Sequence, residues 1–187
     1  MKISTRNFSP ISINRTSLIR AKEAISNILD LNFSIVEERV SMIETKDLIK
    51  ALLIREDFYC LAVISKISND IEGYFISMLD LASFDELLFL LTGRHVTIVN
   101  NFEESIIKEI CNILAGTLLS DIANRLCLRI DYSIPEVAIE TPSALLEFII
   151  ERLSTESSKI LMVTFTLSCE SHQIDMKSAL LVSQDQL

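Results

Sequence analysis

The 187-residue chain has little of what common enzyme sites are built from. Its three glycines, Gly73, Gly93 and Gly116, are too few and scattered to form a phosphate-cradling loop, and no serine sits in a nucleophile elbow. The two histidines, His95 and His172, stand in turn-like segments without an acid at ligand spacing, so they read as surface residues rather than metal ligands. Cys60, Cys111, Cys127 and Cys169 lie far apart among apolar neighbours with no C-x-x-C pair. Buried free thiols are therefore expected, with no metal centre and no disulfide. Positive charge is scarce as well: 17 Lys and Arg stand against 26 Asp and Glu, for a formal net charge of −9. Nucleic acid is a poor partner for such a chain, since phosphate backbones require clustered cations. No uninterrupted apolar run reaches the roughly 18 residues of a membrane span, and MKISTRNFSPISINRTS has no apolar centre of a signal peptide. A cytoplasmic protein that recognises a protein or a small ligand is expected.

What is abundant is apolar side chain, 49% of the residues with a mean hydropathy of +0.38. That content excludes a disordered chain and suits one domain with a sizeable core, with surface to spare for a subunit contact. Periodicity predicts a helix from Thr16 to Leu31, capped by Thr16 or Ser17, with Leu18, Ile19, Ala21, Ile25, Ile28 and Leu29 as its apolar positions. A strand from Phe33 to Ile43, a short helix from Lys46 to Leu53, strands at Phe58–Ser68 and Gly73–Leu79 and a helix from Ala82 to Thr92 follow, with Gly93 as its C-cap. The same order then recurs: a long helix Phe102–Leu126, a strand Leu128–Glu140, a short helix Ser143–Leu153, and strands Lys159–Glu170 and Ile174–Val182. Ile43-Glu44-Thr45 is echoed by Ile139-Glu140-Thr141, each ahead of a short helix. Two similar halves, about 16–92 and 102–183, are thus expected to be fused in a single domain over 1–187, since no Pro/Gly/Ser-rich linker separates them. Strands joined by two or three residues must be antiparallel, so the fold class is α+β, a mainly antiparallel sheet packed against long helices.

The most informative stretch is EESIIKEICNILAGTLLSDIANRL. At about 100° per residue, Ser105, Glu109 and Asn112 share one helix face, with Gly116 one step further along it, while Ile107, Ile110, Cys111, Leu114 and Leu118 form the opposite, core-facing stripe. From spacing alone the polar row is either an idle wet face or a docking face. Glycine inside a helix costs about 1 kcal/mol relative to alanine, so Gly116 implies either a partner's close approach or a close internal contact. Pro135, which interrupts a predicted strand, removes a ladder donor and reads as structural support shaping a bend or edge.

Ser105-x3-Glu109-x2-Asn112-x22-Pro135, with Glu-Ile-Cys-Asn-Ile-Leu-Ala-Gly around it, resembles the signature of the CheC/CheX/FliY chemotaxis phosphatases; a weaker likeness runs from about Thr16 to Val182. The resemblance implies a CheC-like pseudo-two-fold duplication and removal of the phosphoryl group from the aspartyl phosphate of a CheY-like response regulator. It implies Asn112 as the group that positions the attacking water and Glu109 as the carboxylate that pairs with a receiver lysine. Ser105 and Gly116 fall at the partner-binding edge, and Pro135 supports them. No cofactor of its own is implied, because Mg²⁺ comes with the receiver. Partners implied are the phosphorylated receiver and a CheD-like deamidase, and a homodimer is expected through a sheet edge or the Leu87–Leu91 run. In the first half, Arg20 and Ala24 stand where Ser105 and Glu109 do, Asn27 alone survives, and the path to the repeated Ile-Glu-Thr is eleven residues shorter, leaving no counterpart of Pro135. One active face per chain, as in CheX, is therefore expected. The alternative is a non-catalytic module of the same fold that docks a receiver, a CheD-like deamidase or a flagellar switch component.

Overall fold

The computed structural model describes residues 15–52, 58–96, 98–154 and 158–183. Leu53, at the end of the predicted short helix, lies outside them. The described elements run α1 (Arg15–Leu29), β1 (Ser34–Glu44), a 3₁₀ turn (Thr45–Asp47), α2 (Leu48–Leu52), β2 (Cys60–Asn69), β3 (Gly73–Asp80), α3 (Leu81–Thr92), α4 (Asn101–Leu126), β4 (Ile130–Tyr132), β5 (Glu136–Glu140), α5 (Pro142–Ser154), β6 (Lys159–Cys169), a second 3₁₀ turn (Glu170–His172) and β7 (Ile174–Ser183).

The strands form one antiparallel sheet in the order β1-β6-β7-β3-β2-β4, with β5 also paired to β2. Each half thus lends its first strand to the hairpin of the other. Exchanging β1 with β4/β5, β2 with β6 and β3 with β7 reproduces the same order read from the other end. The symmetric centre lies between β3 and β7, where the buried hydroxyls of Ser77 and Ser178 face each other at 2.9 Å and satisfy one another.

Both sheet faces are covered, so β3, β6 and β7 are buried along most of their length instead of alternating between buried and exposed. On one face, Leu18, Ala21 and Ile25 of α1 and Ile107, Leu114, Leu118 and Ile122 of α4 pack against Leu61, Phe75, Phe165 and Leu180. On the other, Leu48 and Leu52 of α2 and Leu146, Ile149 and Leu153 of α5 pack against Ala62, Ile76, Met162 and Leu181. This second helical layer completes an α+β fold of three layers around the sheet.

The α1–α4 contact contains a polar centre. Asp121, buried on α4, accepts hydrogen bonds from the Ser17 hydroxyl, Arg20 and Arg125. Burial pushes its carboxyl pKa up, but the hydrogen bonds from Ser17 and Arg125 and the charges of Arg125 and Arg20 outweigh that, leaving it below its ordinary value. A depressed native pKa contributes stability that is present above the unfolded value of about 4 and is lost as pH falls through the native one. Asp121→Asn is therefore expected to lower stability at pH 7 and to flatten its decline below about pH 4, read as urea midpoints from pH 7 to pH 3. An unchanged acid slope would exclude Asp121 as a contributor.

Several sequence expectations require correction. The strand expected over Leu128–Glu140 is two strands, because Pro135 has no N–H to continue the ladder. Ser17 is not a cap but a buried helical residue bound to Asp121, and Ile19 and Ile28 face outward. Cys127 is exposed, at the left-handed C-cap of α4 with φ +54°; the other three thiols are buried, and burial pushes that of Cys111 up to about 12. Both histidines do have acidic neighbours: His95 Nδ1 lies 2.8 Å from Asp85 and His172 Nδ1 3.1 Å from Glu86, both carboxylates on α3. The Leu87–Leu91 run is divided, with Leu87 and Leu88 in the core and Phe89, Leu90 and Leu91 partly exposed. The free edge at β1 is blunted by a bulge between Val36 and Arg39, where Glu37 has φ +56°.

Candidate functional site

The long helix is firmly placed. Asn100 and Glu103 form a capping box at the start of α4, with the Asn100 side chain accepting from backbone N–H groups and Glu103 accepting from the Asn100 N–H. Its apolar stripe of Ile107, Ile110, Cys111, Leu114 and Leu118 is buried. The polar row therefore faces out: Ser105 and Glu109 are exposed and Asn112 is half-buried.

Beside this row the sheet edge is broken in a particular way. Tyr132 on β4 pairs with Ile67 and Glu136 on β5 pairs with Ile64, so Ser133, Ile134 and Pro135 lie opposite only Ser65 and Lys66. The extra residue is a β-bulge. Ser133 fills the place of a missing ladder partner, its N–H donating to the Lys66 carbonyl at 2.8 Å and its Oγ accepting from the Lys66 N–H at 3.0 Å. Ile134 is thrown outward, 86% exposed, and Pro135 is buried.

Helix and bulge enclose an open groove of about 470 Å³ lined by Ser105, Lys108, Glu109, Asn112, Tyr132, Ser133, Ile134 and Pro135. Four residues singled out in sequence, Ser105, Glu109, Asn112 and Pro135, thus line one concavity although Pro135 is 23 residues past Asn112. Within it, the Ser105 hydroxyl donates to the Asn101 carbonyl at 2.6 Å, and Lys108 pairs with Glu104 at 3.1 Å. The Glu109 carboxylate and Asn112 carboxamide have no hydrogen-bond or ionic partner among the described residues. A negative charge whose neighbouring lysine is already engaged, next to a group that can both donate and accept, is an arrangement open to a partner.

Gly116 is occupied from within. A Cβ there would lie 2.6 Å from the Tyr132 hydroxyl, so the glycine makes room for the phenol of β4. Tyr132, Ser133 and Ile134 were not marked by the sequence motif, and their part in the groove follows from the bulge. The described residues of the first half form no equivalent: Arg20 is bound to Asp121, Asn27 is exposed, and α1 has 15 residues against 26 in α4. No group of His, Cys, Asp and Glu among the described residues is arranged to hold a metal ion.

Fold and groove together make an α+β domain with one polar helix face beside a broken sheet edge. No family model matches the sequence. Among solved structures the chain is similar to FliY from Thermotoga maritima, with 17% identity, a TM-score of 0.65, and 96% of this chain and 93% of that one covered. It is similar to a CheX–CheY–BeF₃–Mg²⁺ complex from Borrelia burgdorferi, with 12% identity, a TM-score of 0.62 and coverage of 90% and 96%. It also resembles the FliM middle domain of Vibrio alginolyticus, with 11% identity, a TM-score of 0.60 and coverage of 92% and 93%. These likenesses establish the fold shared by CheX, CheC-like and FliY chemotaxis proteins. No helix among the described residues is long and apolar enough to cross a membrane.

Proposed function

We propose that this protein is a phosphatase of the aspartyl phosphate on a CheY-like receiver domain. The observation that supports this reading most directly is the unpartnered Glu109–Asn112 pair on one face of α4, opening into the groove bounded by the β4–β5 bulge. The CheX neighbour is a complex with CheY, BeF₃ and Mg²⁺, which favours a CheY-like receiver as the partner.

The chemistry asks for positioning more than for proton transfer. In an acyl phosphate the leaving group is a carboxylate with a pKa of about 4, which departs without a general acid. A water oxygen bonds to phosphorus in line with the scissile bond, the P–O bond to the aspartate breaks, and inorganic phosphate and the free carboxylate result. The transition state is loose, so holding the water in line supplies much of the achievable acceleration. Asn112 can do this with its amide N–H as donor and its oxygen as acceptor. Glu109, one turn earlier, pairs with a lysine beside the receiver's phosphorylation site and so orients the two domains. Mg²⁺ bound by the receiver neutralises charge on the phosphoryl oxygens.

Glu109→Ala is expected to raise the receiver concentration for half-maximal effect and to lower the maximal rate, because one contact serves both docking and alignment. The check is the decay of a phosphorylated receiver titrated with wild type and variant. A change in neither parameter would remove Glu109 from the mechanism. A docking module without turnover is the second reading, favoured by the sharing of this fold with a FliM middle domain, since a fold does not itself specify catalysis. Binding of the phosphorylated receiver without faster decay would establish it.

A further inference from the structure

The phosphatase reading, on which this inference rests, assigns the attacking water to Asn112 alone. The groove holds a second group suited to it. Of the three hydroxyls that line the groove, Ser105 is donated to its own helix and Ser133 is tied to the Lys66 N–H. The Tyr132 hydroxyl has no hydrogen-bond partner among the described residues, and Tyr132 is half-buried, with its ring packed against the main core. Its tip occupies the place a side chain at position 116 would take, 2.6 Å from the ideal Cβ. Helical Cα–Cβ bonds lean toward the N-terminus, so that place lies over the turn bearing Asn112. The phenol is brought there by β4, whose pairing fixes Tyr132 opposite Ile67 immediately before the bulge.

From this geometry we infer that the Tyr132 hydroxyl is a second hydrogen-bonding group for the attacking water, acting with Asn112 from the opposite wall of the groove. A water held by one carboxamide retains freedom to swing; a second partner on a rigid ring restricts it to the in-line approach. Gly116 belongs to the same device, because any side chain there would displace the phenol tip. The proton balance of the hydrolysis is unchanged, as the phenol orients the water without taking its proton.

The test compares wild type, Tyr132→Phe and Gly116→Ala in saturating and subsaturating assays of phosphorylated CheY-type receiver decay with Mg²⁺. Tyr132→Phe keeps the ring and removes only the hydroxyl; it is expected to lower the maximal rate about tenfold, with the half-saturating receiver concentration and melting temperature unchanged. Gly116→Ala keeps the hydroxyl but shifts it, and is expected to reproduce the loss of maximal rate. It guards against a folding defect in the first variant, since the added Cβ meets only the Tyr132 side chain and no backbone, so the half-buried ring tilts and carries its hydroxyl away while the sheet keeps its pairing. A maximal rate in Tyr132→Phe equal to that of an active wild type would overturn this inference and leave the phosphatase reading intact. No acceleration by wild type would overturn both.

Discussion

Asn112→Ala is expected to abolish the acceleration of receiver dephosphorylation while leaving receiver binding nearly intact. The variant should fall about a hundredfold or more in maximal rate, the scale on which misplacement of a reacting group is felt. Three features of the structure make the substitution clean. Asn112 is only half-buried and its carboxamide has no partner among the described residues, so its removal orphans no internal donor or acceptor. Alanine is the strongest helix former, so α4 keeps its shape. Docking should persist because Glu109 and the outward Ile134 remain in place on the two walls of the groove. Titration of the phosphorylated receiver with the variant should therefore give saturation near the wild-type concentration with no turnover. Equal acceleration by wild type and variant would refute the water-positioning role.

Gly73→Ala should have the largest effect on stability. An added Cβ at Gly73 would lie 1.8 Å from the Leu181 carbonyl oxygen, 2.9 Å from its carbon and 3.1 Å from Val182 Cα, all of them backbone atoms of β7. Nothing flexible can yield, so the ladder itself must part. Gly73 opens β3 and pairs with Val182 at the end of the β3–β7 ladder, but both strands are held on their other sides, Gly73 by Ile67 of β2 and Val182 by Leu161 of β6, so neither can swing aside freely. Overpacking at such a point is expected to cost about 3 kcal/mol or more, a fall of roughly 6–12 °C in melting temperature for a chain of this size. Gly116→Ala, opposed only by a side-chain tip, should be far milder in thermal unfolding. A Gly73→Ala melting curve superimposable on wild type would contradict the tight β3–β7 approach.

The sequence was most legible where one physical signal acted alone. The 3.6-residue stripe of α4 and the capping residue Gly93, at φ +72°, gave elements that match the structure within a residue or two. The polar row of Ser105, Glu109 and Asn112 could be read as outward-facing for the same reason. Signals shared by two roles were misread. Serine near a helix start fits both an N-cap and a buried donor, and Ser17 proved to be the donor because Asp121 stands 104 residues away in sequence but in contact. Pro135 announced an interruption, yet not that pairing would resume one residue out of step with β2. Tyr132 carried no local mark at all. Its place in the groove depends on strand pairing and on the space left by Gly116, and neither is a property of nearest neighbours in the chain.

Catalysis and docking are separated by the loss of acyl phosphate from a CheY-type receiver with Mg²⁺ present, followed alone, with this protein, and with its Asn112→Ala variant, alongside binding of each to the same phosphorylated receiver. The account predicts tight binding by both proteins and faster loss only with the wild type. Binding by both with no acceleration by either would contradict it and leave a docking module in place of a phosphatase.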